Sequence, residues 1–422
     1  MSGAQNRDVA TVFRAEAGRA LATIARLTGD LGLAEDAVQE AFVVALRRWP
    51  TTGLPDNPGA WITTTARNRA LDVLRREASR PAREEAAGRA AVALEATPPI
   101  LHPVADDQLR LMFTCCHPAL TAEARITLTL RLVCGLRVPE IARALLQGEE
   151  AVGKRLQRAK AKIRDAGIPL RVPPPELLAE RIPSVLECVY LTFTEGYAAT
   201  AGDELVRHEL CDEAVRLARL VVELLPGEPG AEALLALLLL QDSRRSTRLD
   251  DAGEVVLLAD QDRSRWDHDR IAEGLTWLDR AGTSAEAPGR TISAGAAAYL
   301  LQAALAAEHA RAPGWAATDW PAIVGLYDQL LALTASPVVE VNRAVAVSFA
   351  DGPDVALPLL EALSAPGAPL AGSHLLHAAR ADVRRRLGRT DEAVQLYRLA
   401  LDCAATEPER ALLRRRLAEL DP

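Results

Sequence analysis

Leu136-Arg-Val-Pro-Glu-Ile-Ala-Arg-Ala-Leu145, Leu146-Gln147-Gly148 and Glu149-Glu-Ala-Val-Gly-Lys-Arg-Leu-Gln-Arg-Ala-Lys-Ala-Lys-Ile-Arg164 follow one another without a break. The first piece reads as a short amphipathic helix with Pro139 near its start, where the missing backbone N–H is harmless. The second reads as a turn. In the third, Val152, Leu156, Ala159 and Ile163 recur at i, i+4, i+7 and i+11, which predicts one apolar helix face. Lys154, Arg155, Arg158, Lys160 and Lys162 are expected outside it. A short helix, a tight turn and a basic helix fit the docking of a recognition helix in the DNA major groove. Such helix pairs are common, and alone this one leaves DNA binding open. Gly153 costs the basic helix about 1 kcal/mol against Ala.

Three further helical patterns lie upstream. In the first, Phe13, Ala17, Ala20, Leu21, Ile24 and Leu27 recur at helical spacing. The second starts near Ala34 and sets Val38, Ala41, Phe42, Ala45 and Trp49 on one face and Asp36, Gln39, Glu40 and Arg47 on the other. The third follows Asp56-Asn57-Pro58, a helix-start signal. It turns Ile62, Ala66 and Leu74 inward and Asn68, Asp72, Arg75 and Arg76 outward, with Arg69 and Thr65 flanking. Arginine binds phosphate, and Asn and Arg also read base edges. Trp61, just upstream, is placed to stack on an unpaired base. Each residue also has a plainer role: a lone Trp belongs more often to a core, and an Arg-rich helix end suits the helix dipole.

The 422 residues include 49 Lys+Arg and 57 Asp+Glu, a formal net charge of −8. Residues 1–171 are net basic and the remainder is strongly acidic. That asymmetry fits a nucleic-acid-binding front half and an acidic partner or regulatory half. With 49% apolar and 25% charged residues the chain is an ordinary globular one. Only 4% of residues are aromatic, and richness in Ala, Leu and Arg favours an all-α fold. The longest apolar run, Ala233–Leu240, is too short to span a bilayer, so no membrane role is expected. The N-terminus has no signal-peptide core. Six cysteines over this length are no disulfide framework, and a cytoplasmic protein with reduced thiols is expected. Proline-rich stretches near 78–104, at 169–175 and at 364–372 mark linkers and a loop.

The order of these segments carries a resemblance. Glu35-Asp-Ala-Val-Gln-Glu-Ala-Phe42, then Ala60-Trp61-Ile62 and Ala66-Arg-Asn-Arg-Ala-Leu-Asp-Val-Leu-Arg-Arg76, then a linker, then Glu140-Ile-Ala with Val152, Arg155-Leu156 and Arg158-Ala159, resemble a bacterial RNA polymerase sigma factor of the extracytoplasmic-function (ECF) type. The resemblance covers about residues 10–168. It implies that residues 1–80 bind core polymerase and the −10 element, that 81–104 link, and that 105–168 bind the −35 element. By the same resemblance, Asp36, Gln39 and Glu40 dock on the β′ clamp helices of the core enzyme. Trp61, Asn68, Arg69, Asp72, Arg75 and Arg76 fall in the strand-opening and −10-reading part, and Glu150, Lys154, Arg155 and Arg158 in the −35-reading helix. Leu146 and Gln147 depart from the usual turn, which often carries Gly and an apolar residue.

Residues 176–422 exceed a minimal ECF sigma factor. Asp212-Glu-Ala-Val-Arg-Leu-Ala-Arg-Leu-Val-Val-Glu-Leu-Leu-Pro-Gly-Glu-Pro229 aligns with Asp391-Glu-Ala-Val-Gln-Leu-Tyr-Arg-Leu-Ala-Leu-Asp-Cys-Ala-Ala-Thr-Glu-Pro408. Gly388, Glu392-Ala393, Tyr397 and Ala400-Leu401 resemble the second half of a tetratricopeptide repeat, and Gly352, Ala356, Leu360 and Leu363 give a weaker copy. The reading is paired helices stacked into a solenoid with a partner-binding groove. The whole chain then resembles the ECF subgroup with a helical-repeat extension. Leu191-Thr-Phe-Thr-Glu-Gly-Tyr197, with Thr194 where that subgroup usually has Asn, and Asp260-Gln-Asp-Arg-Ser-Arg-Trp-Asp267 belong to the same resemblance. Both read more readily as packing anchors and a salt-bridged loop than as ligand sites. The extension is expected to pack on the sigma domains and either inhibit or assist them, or else to bind a protein partner.

Catalysis and cofactors are not expected: no phosphate-binding GxxxxGK[ST] loop or HExxH motif is present. Cys115-Cys116-His117 invites a metal reading, but tetrahedral zinc needs a fourth ligand that no nearby pair supplies, so buried thiols are expected. His374 and His377 stand one helical turn apart without an evident partner. The alternative to a sigma factor is a helix-turn-helix regulator with a repeat domain that leaves the housekeeping sigma factor in place. The acidic face at 36–40 and the helix at 61–76 argue against it, since such a regulator needs neither.

Overall fold

A computed structural model describes residues 3–78, 104–145, 147–198, 206–365, 367–404 and 406–420. It is all-α among these residues: eighteen α-helices, three single 3₁₀ turns and one isolated β-bridge between Leu249 and Val255. The chain forms two compact units, residues 1–192 and 193–422. Most of the expected linker 81–104 and Leu146 of the turn lie outside the described residues.

The first unit starts with α1 (Gly3–Thr28), α2 (Leu31–Thr52) and α3 (Pro58–Ala78), packed on one another as a bundle. Their buried stripes are those of the sequence pattern: Ala17, Ala20, Leu21, Ile24 and Leu27 on α1; Val38, Ala41, Phe42, Ala45 and Trp49 on α2; Ile62, Ala66 and Leu74 on α3. The side chain of Phe13 lies outside the described set. Helix α2 starts three residues earlier than its apolar pattern. Asp30 Oδ1 accepts hydrogen bonds from the N–H groups of Gly32 (2.7 Å) and Leu33 (3.0 Å) and caps it. Asn57 Oδ1 does the same for α3 through Ala60 N, 2.9 Å, with Pro58 opening the helix.

Helices α4 (Val104–Cys115), α5 (Ala122–Leu132), α6 (Val138–Ala144) and α7 (Glu149–Asp165) follow. Thr121 caps α5 by accepting from Ala124 N at 3.3 Å. The non-helical stretch before Pro175 ends in α8 (Pro175–Tyr197). The division between the units falls inside this helix, after Thr192, and not at the proline-rich stretch where the sequence pattern changes. The reason lies in the core. Leu178, Ile182, Val185, Leu186, Cys188 and Val189 of α8 are buried. Arg125 of α5 donates to Ser184 Oγ at 2.7 Å, and Arg181 donates to Phe113 O at 3.4 Å. Cys116 Sγ stands 3.7 Å from Cys188 Sγ, and Cys134 Sγ 2.9 Å from Thr192 Oγ1. The helix-turn-helix domain thus takes one wall of its core from the first part of the extension.

The second unit is a succession of helices, each in contact with the next: α9 (His208–Leu224), α10 (Pro229–Asp242), α11 (His268–Ala285), α12 (Ala294–Arg311), α13 (Trp320–Thr334), α14 (Pro337–Ala350), α15 (Pro353–Ala362), α16 (His374–Arg386), α17 (Thr390–Cys403) and α18 (Glu407–Ala418). The apolar run Ala233–Leu240 lies in α10, buried on every face between α9, α11 and α12. Gly274 lets α11 approach it: a Cβ there would lie 2.8 Å from Leu240 Cγ. The two aligned stretches of sequence are α9 and α17, and their equivalent alanines, Ala214 and Ala393, are both fully buried. Gly388, with φ +73°, turns the chain between α16 and α17.

Candidate nucleic-acid interface

Helix α7 separates its residues as the sequence predicts, with one exception. Val152, Leu156, Ala159 and Ile163 are buried, while Glu150, Lys154, Arg158 and Lys162 are exposed. The outer face borders a groove of about 560 Å³ between α5 and α7 that Thr121, Ala124, Lys154, Arg155, Arg158 and Lys162 help to line. Lys154 bonds Glu150 at 2.5 Å. Arg155 is half-buried: its guanidinium donates to Gln147 Oε1 and lies 3.5 Å from Thr127 Oγ1. Gln147, a departure from the usual turn, therefore orients a basic residue of the next helix. The exception is Lys160. It does not face out with the others but pairs with Glu35 of α2.

On the bundle, Asp36, Gln39 and Glu40 are exposed on α2, and Asn68, Asp72, Arg75 and Arg76 on α3. Arg69 reaches across from α3 to grip the carboxylate of Glu40, with Nη2 donating to Oε1 at 2.9 Å. The two candidate surfaces, one acidic and one basic, thus meet along this pair. Gln39 Nε2 donates to Glu35 Oε1 at 3.3 Å. Asp36 has its pKa raised, first by burial and then by repulsion from Glu35, Glu40 and Asp30. Trp61 is half-buried, set edge-on to the buried Trp49 with ring centroids 5.3 Å apart. One side of the indole is therefore packing and the remainder is accessible.

The cysteine and histidine cluster resolves into core contacts. Cys115 and Cys116 are fully buried, and burial raises the pKa of Cys115; that of Cys116 is raised first by its hydrogen bond with Cys188 and then by burial. His117 Nδ1 accepts from Ala119 N at 3.1 Å. Among the described residues no group of three or more His, Cys, Asp or Glu is arranged to hold a metal ion. His374 Nε2 has a partner that the sequence did not show, Glu409 Oε1 at 3.4 Å.

Sequence reasoning missed Glu35. Its carboxylate is buried where α2 meets the helix-turn-helix domain, accepting from Arg131 Nε of α5 at 2.8 Å and from Lys160 Nζ of α7. Arg131 also donates to Leu136 O at 3.0 Å, which ties the same cluster to the start of the helix-turn-helix. A second bridge joins Arg26 of α1 to the buried Asp107 of α4 at 2.7 Å. Between them α1 comes so close that a Cβ on Gly18 would lie 2.2 Å from Val133 O. Nothing in the local pattern announces Glu35, because its partners lie 96 and 125 residues further along the chain.

Comparison with known proteins identifies these two halves of the first unit. Residues 12–80 match Sigma-70 region 2, and residues 110–163 match Sigma-70 region 4. The chain belongs to the sigma-70 family. It is an ECF-type sigma factor with a C-terminal extension, and residues 181–282 of that extension match a family of unknown function, DUF6596. An uncharacterized protein of Rhizobium meliloti is 42% identical over 411 residues, covering 95% of this chain and 93% of its own. A probable ECF RNA polymerase sigma factor, SigI, of Mycobacterium tuberculosis is 27% identical over 40% of this chain and 59% of its own. A probable RNA polymerase sigma factor, RfaY, of Xanthomonas campestris is 33% identical over 33% of this chain and 35% of its own. No solved structure matches. Sigma-factor families are not enzymes; their domains act with core RNA polymerase and promoter DNA. Among the described residues no helix is long and apolar enough to cross a membrane.

The Glu35 cluster gives a prediction with a defined sign. Burial raises the carboxyl pKa, but the Arg131 and Lys160 charges outweigh it, and the net shift is downward from the ordinary 4.5. A depressed acid stabilises the fold fully above its unfolded value, and that stabilisation vanishes as pH falls through the lower folded value. Glu35→Gln should therefore cost about 3 kcal/mol near neutral pH, the low end for breaking a buried pair. Urea titrations from pH 7 downwards should show the gap between wild type and variant holding to the ordinary glutamate value of 4.5 and closing below it. Equal midpoints at pH 7 would show that the pair carries no net stability.

Proposed function

We propose that α2 and α3 supply the polymerase and −10 contacts and that α7 supplies the −35 contacts of this alternative sigma factor. Asp36, Gln39 and Glu40 dock on the β′ clamp helices. Trp61, Asn68, Arg69, Asp72, Arg75 and Arg76 open and hold the −10 strand, and Glu150, Lys154, Arg155 and Arg158 meet the −35 element. The observation that carries the reading is the division of α7, with its apolar stripe buried and its basic face open beside a groove. The protein works in the cytoplasm, with the polymerase and its DNA.

Geometry adds a requirement. The two promoter elements take their names from positions about 25 base pairs apart, or about 85 Å of duplex at 3.4 Å per pair. Region 2 and region 4 touch through Glu35, Arg131 and Lys160. We therefore read the arrangement as the closed, DNA-free form, whose two halves separate when both elements are held. Release of Glu40 from Arg69 accompanies this step, since one is assigned to polymerase and the other to DNA.

Asp36→Arg with Glu40→Arg should weaken core binding while the exposed positions leave folding intact. Co-elution with core polymerase measures it, and unchanged co-elution would reject the clamp-helix assignment. Arg158→Ala should weaken −35 DNA binding across sequences and reduce the salt slope by about 0.9, as expected for one phosphate contact. Arg155→Ala, if that residue reads a base, should relax one position by about 1–3 kcal/mol. Wild-type binding at all salt concentrations would show that this face points away from DNA.

The extension acts on the sigma domains as a regulator or holds a protein partner. A chain ended at Arg171 would strip α8 from the region 4 core, so the clean truncation ends after Tyr197. In run-off transcription with purified core enzyme, the 1–197 chain should gain activity if the extension inhibits and lose it if the extension assists. Unaltered activity and promoter affinity would leave the extension as a docking module alone.

A further inference from the structure

Three arginines stand within five residues after α10, and they are treated unequally. Arg245 is compensated: it meets Asp212 at 2.8 Å, Asp242 at 3.1 Å and His208 O at 3.0 Å. Arg244 and Arg248 have no carboxylate partner among the described residues. Both lie over the ring of Tyr197, at 5.9 Å and 3.9 Å from its centroid. Arg248 Nη1, Tyr197 Oη and His309 Nδ1 are each buried without a hydrogen-bond partner. A fourth guanidinium, Arg263, lies close by but is occupied, donating to His309 O (2.8 Å), Ala312 O (2.6 Å) and Thr318 Oγ1 (3.3 Å).

Elsewhere in the second unit, arginines such as Arg384 and Arg386 have carboxylate or backbone partners, although Arg384 Nη1 and Arg380 Nε are also left without one. Arg384 binds Glu361 and Glu392, and Arg386 binds the hydroxyl and carbonyl of Ser348. Unpaired buried donors are rare because each forfeits its hydration for nothing. The field in the cluster is correspondingly positive. Burial, then Arg244 and Arg263, bring the His309 pKa down to about 4. Burial and then Arg244 also lower Arg263.

We propose that Arg244 and Arg248, with Tyr197 Oη and His309, form a binding site for the phosphate group of a small molecule. Two uncompensated guanidiniums call for two negative charges, which a phosphate monoester supplies and a single carboxylate does not. Stacking on Tyr197 fixes the plane of Arg248 and leaves its N–H edge to fork onto two phosphate oxygens. Neutral His309 and the Tyr197 hydroxyl add donors to the remaining oxygens. The ligand is small because the unit is acidic overall, and an acidic surround repels a polyanion such as nucleic acid. This goes beyond the promoter reading and does not rest on it.

Calorimetric titration of the full chain at constant ionic strength tests the site, with inorganic phosphate, phenyl phosphate and acetate as probes. Wild type should bind phosphate or phenyl phosphate at one site. Arg244→Gln and Arg248→Gln should each weaken binding at least about tenfold, the loss of one charge-assisted hydrogen bond, while Arg265→Gln in the neighbouring exposed turn leaves it unchanged. Equal binding of the two phosphates points to free phosphate as the ligand, and tighter binding of phenyl phosphate points to a phosphorylated metabolite. Absence of binding by both phosphates, acetate binding as tight as phosphate, or retention of affinity in the arginine variants would overturn the proposal. Circular dichroism checks each fold, and should Arg248→Gln unfold, Arg244→Gln and Arg248→Lys carry the test.

Discussion

A carboxylate with two cationic partners from distant parts of the chain holds the sigma domains together. Glu35 is buried on a helix whose neighbouring acidic residues Asp36 and Glu40 are exposed, and Arg131 and Lys160 come to it from the far side of a long linker. Burying an ion pair is costly, and whether it adds net stability depends on how completely each partner is satisfied. Here Oε1 takes Arg131 and Gln39 while Oε2 takes Lys160. The arrangement specifies one register: α1 can approach the α5 end only where Gly18 meets Val133 O. A contact centred on a desolvated ion pair is also one whose strength depends on both partners staying paired, more than a contact of leucines alone would.

That property bears on how the functional surfaces are stored. Lys160 lies on the helix whose other basic residues face the groove, so the same element presents charge outward to the groove and inward to Glu35. Glu40 and Arg69 repeat the device on the bundle, where two surfaces with different assigned partners neutralise each other. Promoter DNA and polymerase would have to displace these internal pairs. Exposed pairs such as Glu40 with Arg69 are worth little, whereas Glu35 is desolvated. The bundle surface should therefore exchange readily, and separation of the two domains should be the more costly step.

The sequence carried the fold well wherever one period governed. The apolar stripes of α1, α2, α3 and α7 were legible because each helix buries one face against its neighbours, and Asn57 with Pro58 marked a start by local chemistry alone. The α2 start was missed by three residues because Asp30 caps a turn that precedes the apolar repeat. The exposed positions of the candidate interface were legible for the same reason as the buried ones. Glu35, Lys160 and the His374–Glu409 contact were not, since each depends on a partner brought by tertiary packing. The Asp260–Asp267 stretch reads in the sequence as a salt-bridged loop. Asp262 caps the short turn that follows it and Asp267 caps α11, and Asp267 also pairs with Arg270 at 3.1 Å, but Arg263 donates to carbonyls at the end of α12.

The unit boundary inside α8 has a consequence for how the extension is attached. A proline-rich stretch looks like a place where a domain ends, because proline breaks helices and removes donors. Burial decides otherwise. Leu178, Ile182, Val185 and Val189 recur at a period that commits one face of α8 to the region 4 core, and Arg125 and Arg181 tie it there by hydrogen bonds. Region 4 in this chain is therefore not the minimal helix-turn-helix with an appendage, since part of its core is written after the linker. Any signal that changes the seating of α8 acts on the walls of that core, which Cys116, Cys134 and Thr192 help to form. The helix that carries Arg155 and Arg158 packs on α5 and α6 of the same domain, and Arg125 ties α8 to α5, so the first part of α8 is joined to that helix through the domain core and not by proximity in sequence.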